Sequence, residues 1–206
     1  MEQNYQPVNA RESEVIGLVA YAALAAMTRL AKDGDQAPTI EAHVAHARMS
    51  AATFAHFQEL EVWAAHRQCD LLKAAEAYSG IFDDLDARTR PTTWRERSVK
   101  TYVTLGILTD FLAELTAHHD VLPEATWDLG QGQWVREHVA SYLSTEEESA
   151  RMSLWARRVA GEVFALMRST MFTHPTLVDT PEKADEIAEK VTRQHSDRMA
   201  GLGLRA

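Results

Sequence analysis

Cysteine is nearly absent: Cys69 stands alone in 206 residues, so no internal disulfide can staple the fold. Nothing in the cysteine usage points to an oxidising compartment. Stability must come from a packed core, and a chain of this length with 46% hydrophobic residues can build one. Glycine and proline are also scarce, at 9 and 6, which excludes a loop-rich or low-complexity chain. No segment alternates apolar and polar residues over a strand's length, so no sheet is expected. Basic charge is short as well: 21 Lys and Arg against 30 Asp and Glu leave a net charge of −9. Such a surface disfavours nucleic acid, whose non-specific affinity comes from basic side chains on phosphates. Arg151, Arg157 and Arg158 form the one basic group of note, and they read as a solvated helix face.

A secretory leader is missing too, since residues 1–11 lack the basic-then-apolar order. The most apolar run, Val15 to Leu30, is interrupted by Thr28 and Arg29. It falls short of the ~20 residues that a membrane span needs. The expectation is a cytoplasmic protein with no membrane partner.

What is present is helical punctuation. Val15, Leu18, Val19, Ala22, Ala26 and Leu30 recur on one side at helical spacing, which predicts a first helix over 12–32, ended by Asp33-Gly34-Asp35. Pro38 opens a second helix running to about residue 68. A shorter helix over 70–88 follows, then a break at Arg90-Pro91-Thr92-Thr93, where a Thr caps the next helix (94–119) and Glu96 is placed for a capping box. Pro123 opens a helix over 124–143, weakened by Gly130 and Gly132. Ser144 or Thr145 caps a helix reaching Phe172, with Glu146, Glu147 and Glu148 at its positive end. Pro181 starts the last helix, over 181–199, and the tail 201–206 is expected to be loose. These elements predict one all-α domain over 1–206, with its ordered core at 12–172.

Several catalytic signatures do not occur: no G-x-G-x-x-G, P-loop, H-E-x-x-H or G-x-S-x-G is present. Long helical bundles often hold two irons with a Glu on each of two helices and Glu-x-x-His on the other two. No Asp or Glu in this sequence has a His three residues on. The nearest approach is Thr53-Phe-Ala-His56, with Thr where the carboxylate would stand. The stripe Met49, Ala52, His56, Leu60 and Trp63 predicts that His56 faces the core, as a satisfied histidine rather than a ligand. His43 and His46 are expected to face solvent. His118-His119-Asp120 ends a helix, where cations suit the dipole. Cys69 reads as a structural thiol.

Six segments then carry a family resemblance: 17–21 (Gly-Leu-Val-Ala-Tyr), 47–57 (Ala-Arg-Met-Ser-Ala-Ala-Thr-Phe-Ala-His-Phe), 88–94 (Arg-Thr-Arg-Pro-Thr-Thr-Trp), 99–103 (Val-Lys-Thr-Tyr-Val), 110–111 (Asp-Phe) and 154–158 (Leu-Trp-Ala-Arg-Arg). Over roughly 15–167 the chain resembles actinobacterial ferritin-like proteins related to the MiaE-like tRNA hydroxylase of 2-methylthio-N6-isopentenyladenosine. The resemblance implies a ferritin-like four-helix bundle with additional short helices, and, in its better-equipped members, a carboxylate-bridged di-iron site. Carried over position by position, that site fails here. The first-helix glutamate falls at Ala23 and the second at Thr53, with His56 kept. The third falls near Leu105, and the acidic-x-x-His motif falls at Asp128-Leu-Gly-Gln131, with only the acid kept.

Two ferrous ions carry four positive charges that four carboxylates would balance, whereas one carboxylate and one imidazole remain. The expectation is therefore no metal cofactor, and a non-catalytic structural or interaction module. The alternative is a di-iron tRNA hydroxylase-like monooxygenase, with iron held by residual candidates His56, Asp110, Asp128 and Glu162 and tRNA as its one nucleic-acid partner. Asp110 and Glu162 read as members of buried ion pairs with Arg158, Arg48 or His56. A third reading makes the vacated interior an apolar pocket, around Ala22, Ala23, Ala25, Ala26, Ala51 and Ala52. A homodimer is expected, with the Trp127 and Trp134 region and the last helix as contact surfaces.

Overall fold

Six side-chain oxygens begin six helices. Asn9, Thr39, Asp70, Thr93, Thr145 and Thr180 each accept the backbone N–H three residues on, satisfying a donor the helix start leaves free. The chain, seen in a computed structural model that describes residues 6–122 and 130–206, is helical throughout, and no strand occurs among the described residues. The long helices are α1 (Ala10–Asp35), α2 (Ile40–His66), α5 (Trp94–His118), α7 (Glu146–Thr173) and α8 (Pro181–Gly201). Between them lie α3 (Leu71–Glu76), α4 (Asp83–Arg88) and α6 (Gln131–Val139), with 3-10 turns at Ala140–Tyr142 and Pro175–Leu177.

Most boundaries match the predicted ones, and the exceptions have physical causes. The helix expected over 70–88 breaks at 77–82, where Gly80 takes φ +80. That left-handed geometry suits glycine, and the Tyr21 hydroxyl accepts the Gly80 N–H at 2.6 Å, tying the turn to α1. Pro38 precedes the cap of α2 instead of lying in its first turn. Glu96 turns back to the N–H and hydroxyl of Thr92 (2.7 and 2.6 Å), while Thr93 is the cap. The helix predicted over 124–143 is described only from Gln131, and its earlier part, Trp127 and Asp128 included, lies outside the described residues. The tail is docked, not loose: Leu202 and Leu204 are buried, and the Arg205 N–H donates to Ser153 Oγ at 3.0 Å.

α1 and α2 form an antiparallel hairpin, the most extensive helix pair in the fold. α5 is the hub, packing against α1, α6, α7 and α8. Val15, Ile16, Val99, Val103, Ile107, Val159, Val163 and Val191 meet with no exposed surface at their common centre. The Tyr102 hydroxyl on α5 donates to the Arg198 carbonyl at 2.9 Å, fixing α8 across it. By length and composition α1 is apolar enough to cross a membrane, contrary to the expectation from Val15–Leu30 alone, and half of its most apolar window is buried inside the bundle.

Candidate functional site

Four of the positions that the resemblance assigns to iron ligands, Ala23, Thr53, Leu105 and Gln131, hold neutral side chains. Leu105 on α5 is buried in an apolar cluster with Ala26 and Leu30 of α1 and Met49 of α2, and Trp134 of α6 closes it. Ala23 does not join this cluster; it packs on the main core, one turn away. Thr53 is buried at 2% exposure and spends its hydroxyl on its own helix, donating to the Met49 carbonyl at 2.9 Å. Gln131, in the place of the motif's histidine, is buried at the start of α6. None of these four groups carries charge, so they do not fit a pair of divalent cations. Among the described residues, no three His, Cys, Asp or Glu side chains come together as a metal would require.

The residual candidates are not brought together either. His56 faces outward at the edge of α2, its Nδ1 3.2 Å from Glu59, which corrects its expected core position. Asp110 pairs with Arg198 of α8 at 2.7 Å, and Glu162 with Arg88 of α4 at 3.3 Å. Both form ion pairs, but neither uses the partners expected from the sequence, and the Glu162 pair lies at the surface instead of being buried, with Arg88 60% exposed. Asp128 lies outside the described residues.

The histidine that does face inward is His46, at 2% exposure, where a solvent-facing side chain was expected. Its Nδ1 donates to the Ala42 carbonyl at 2.8 Å, since a carbonyl can only accept. Its ring stands edge-on to Trp134 (4.5 Å) and Trp94 (5.3 Å). Burial lowers its pKa, against the smaller opposing effects of the Ala42 bond and Asp33, so it packs as a neutral ring. Trp134 is thereby turned inward, and α8 spends its apolar face on α5 and α7.

Charge gathers elsewhere, in a cleft of about 710 Å³ between α1, α4 and α5 that sequence reasoning missed. Asp33, read from sequence as a turn residue, is 3% exposed here; Arg97 donates to its Oδ1 at 3.1 Å and the Thr101 hydroxyl to its Oδ2. Alongside, Arg29 and Lys100 both reach Asp86 Oδ1, each at 2.8 Å. Their side chains are 12% and 7% exposed, so two mostly buried cations share one carboxylate. Burial pushes the Asp86 pKa up, but the two cations outweigh it and hold the carboxyl below its usual range. Burial holds the Lys100 ammonium below its ordinary value, partly offset by Asp86. Lys32 and Arg90 stand exposed at the rim, and the stacked rings of Tyr21 and Phe82 (centroids 5.8 Å apart) form one wall. The signal was legible only as scattered basic residues on three separate elements.

A family model described as "Ferritin-like domain, actinomycetes" matches residues 7–180, and the chain belongs to that family. Comparison with curated proteins finds no significant match.

Proposed function

We propose that this ferritin-like domain has lost its di-iron site and acts as a non-catalytic interaction module, with a second copy of itself as partner. The observation that carries the first half is the neutral occupancy of four ligand positions: Leu105 sits in an apolar cluster with Ala26, Leu30 and Met49, Ala23 packs on the main core, and Thr53 and Gln131 are buried uncharged polar groups. Buried carboxylates without a metal would be costly, and apolar side chains remove that cost. No specific observation favours the hydroxylase reading, because His56, Asp110 and Glu162 each serve a separate ion pair. The test is metal analysis of protein expressed with added iron. Essentially iron-free protein is expected, and about two irons per chain, the di-iron complement, would overturn the reading.

The second half rests on the outer face of α2. Ile40, Val44, Ala47, Ala51, Phe54, Gln58 and Val62 follow one another at three- and four-residue spacing, so they form a single stripe. Ile40, Val44, Phe54 and Val62 are 78%, 40%, 41% and 59% exposed. An apolar stripe broken only by Gln58 on an outer helix marks an interaction surface. This one is self-complementary about Ala51: an antiparallel copy sets Ile40 against Val62 and Phe54 against Arg48 beside Ala47. A hollow of about 300 Å³ lined by Ala31, Gly34, Ala47 and Ala51 lies beside the stripe and offers the second Phe54 ring a seat. The rims would face Glu59 with His43, and Glu41 with Glu61, so added salt should favour association by screening the latter pair. Light scattering should give twice the 23.1 kDa chain mass. Ala51→Glu, which puts two like charges on the axis, should weaken the pair about 100-fold or more. A wild-type monomer at high concentration, or an Ala51→Glu dimer as tight as wild type, would sink the self-pairing.

A further inference from the structure

We infer that the cleft between α1, α4 and α5 binds a small organic ligand through a dianionic, phosphate-type group. The charge count comes first. Arg29, Lys32, Arg90, Arg97 and Lys100 face Asp33, Asp83 and Asp86, leaving the cleft two charges positive in a chain whose net charge is −9. Those charges are not spread evenly. Asp33 is spent on Arg97 and Thr101, while Asp86 answers both Arg29 and Lys100. Two mostly buried cations therefore share one half-exposed carboxylate, which leaves one positive charge in excess where the cleft opens to solvent. A dianion resting there meets the floor cations, with Lys32 and Arg90 above it at the rim.

Geometry sets the rest of the ligand. A cleft of about 710 Å³ lies within the ~300–1,000 Å³ usual for small-molecule sites and leaves room beyond one oxyanion. Tyr21, Leu24, Phe82 and Pro91 supply an apolar wall for an aromatic or aliphatic body. The wall is held in place, since Tyr21 both stacks on Phe82 and accepts the Gly80 N–H. A compact dianion is favoured over a polynucleotide because the chain as a whole carries a net charge of −9.

The experiment is calorimetric titration of the full chain with phenyl phosphate at low salt and pH 7.5, where the phosphate carries nearly two charges. Phenyl sulfate, the monoanion of the same shape, should bind about tenfold more weakly or worse. Lys32→Ala with Arg90→Ala removes only exposed rim charges, so the double variant should keep its thermal melt and lose about tenfold or more in phenyl phosphate affinity. Three results would each overturn the inference: no binding of phenyl phosphate by wild-type protein, equal affinity for the sulfate, or unchanged affinity in a folded double variant. Single-stranded RNA that displaces phenyl phosphate at micromolar concentration would also overturn it, in favour of a polynucleotide site.

Discussion

Gly17→Ala is expected to destabilise the protein by about 2 kcal/mol, the difference between overpacking at about 3 kcal/mol and a helix-propensity gain of about 1 kcal/mol. A Cβ at this position would lie 2.3 Å from the Ala74 carbonyl oxygen and 2.6 Å from its carbon. Those are backbone atoms of α3, so no rotamer change can relieve the contact and α1 must part from α3. The overpacking cost is accordingly taken at the upper end of its usual range. For a chain of this size the melting temperature should drop by about 4–8 °C. Gly161→Ala is the control, because a Cβ there meets nothing within 4 Å and the position lies inside α7. That change should stabilise by up to about 1 kcal/mol. Urea titrations of both variants check the pair, and a Gly17→Ala protein as stable as Gly161→Ala would refute the close approach.

Acidification should weaken the fold by about 3 kcal/mol through His195 alone, at ~1.4 kcal/mol per pH unit. His195 sits on α8 at 4% exposure, edge-on to Phe164 of α7, and its Nδ1 has no hydrogen-bond partner. Burial first, and then the Arg198 charge, push its pKa from 6.5 to about 4. Between those two values the unfolded chain takes up a proton that the native protein refuses. Stability is therefore full above pH 6.5 and falls as pH drops towards 4. His46 acts in the same direction, since burial lowers its pKa too. Asp110, facing Arg198 from α5, acts the other way: burial raises its pKa against the pull of Arg198, with Glu114 adding to the rise. Urea midpoints measured from pH 7 to pH 4 should slope down in wild type and flatten in His195→Gln. Equal slopes in the two proteins would remove His195 from the account.

The helices were legible because the chain marks their ends. Threonines stand just before α2, α5, α7 and α8, and Pro181 opens the last of these, whereas α1 runs on through Asp33 and Gly34 to Asp35, past the end expected at 32. The facing of α2 was not legible, and the reason is its alanine content. The inward residues are Ala42, His46, Met49, Thr53, Phe57, Leu60 and Ala64. The stripe read from sequence shared Met49 and Leu60 with them, then drifted onto Ala52 and His56. Ala52 is as apolar as Ala42 but exposed, so hydropathy alone could not set the phase. That slip moved His56 inward and His46 outward. Partners were harder still. Asp110 finds Arg198 and Asp33 finds Arg97, pairs separated by 88 and 64 positions, and no local pattern encodes such separations. Of the positions carried over from the family, Leu105 and Thr53 are buried, whereas Ala23 is only partly buried and its neighbour Ala26 meets Leu105.

α2 leans almost wholly on α1, with His46 as its main reach towards α5 and α6, whereas α5 is gripped by four other helices. The free energy that keeps α2 docked is thus concentrated in one seam. An excursion in which this helix swings away would uncover Phe57, Leu60 and Ala64 of the core while leaving α5 held by its four neighbours, so it should cost less than global unfolding. The bundle divides mechanically into a stiff heart and a hinged flank, and the flank carries the apolar stripe.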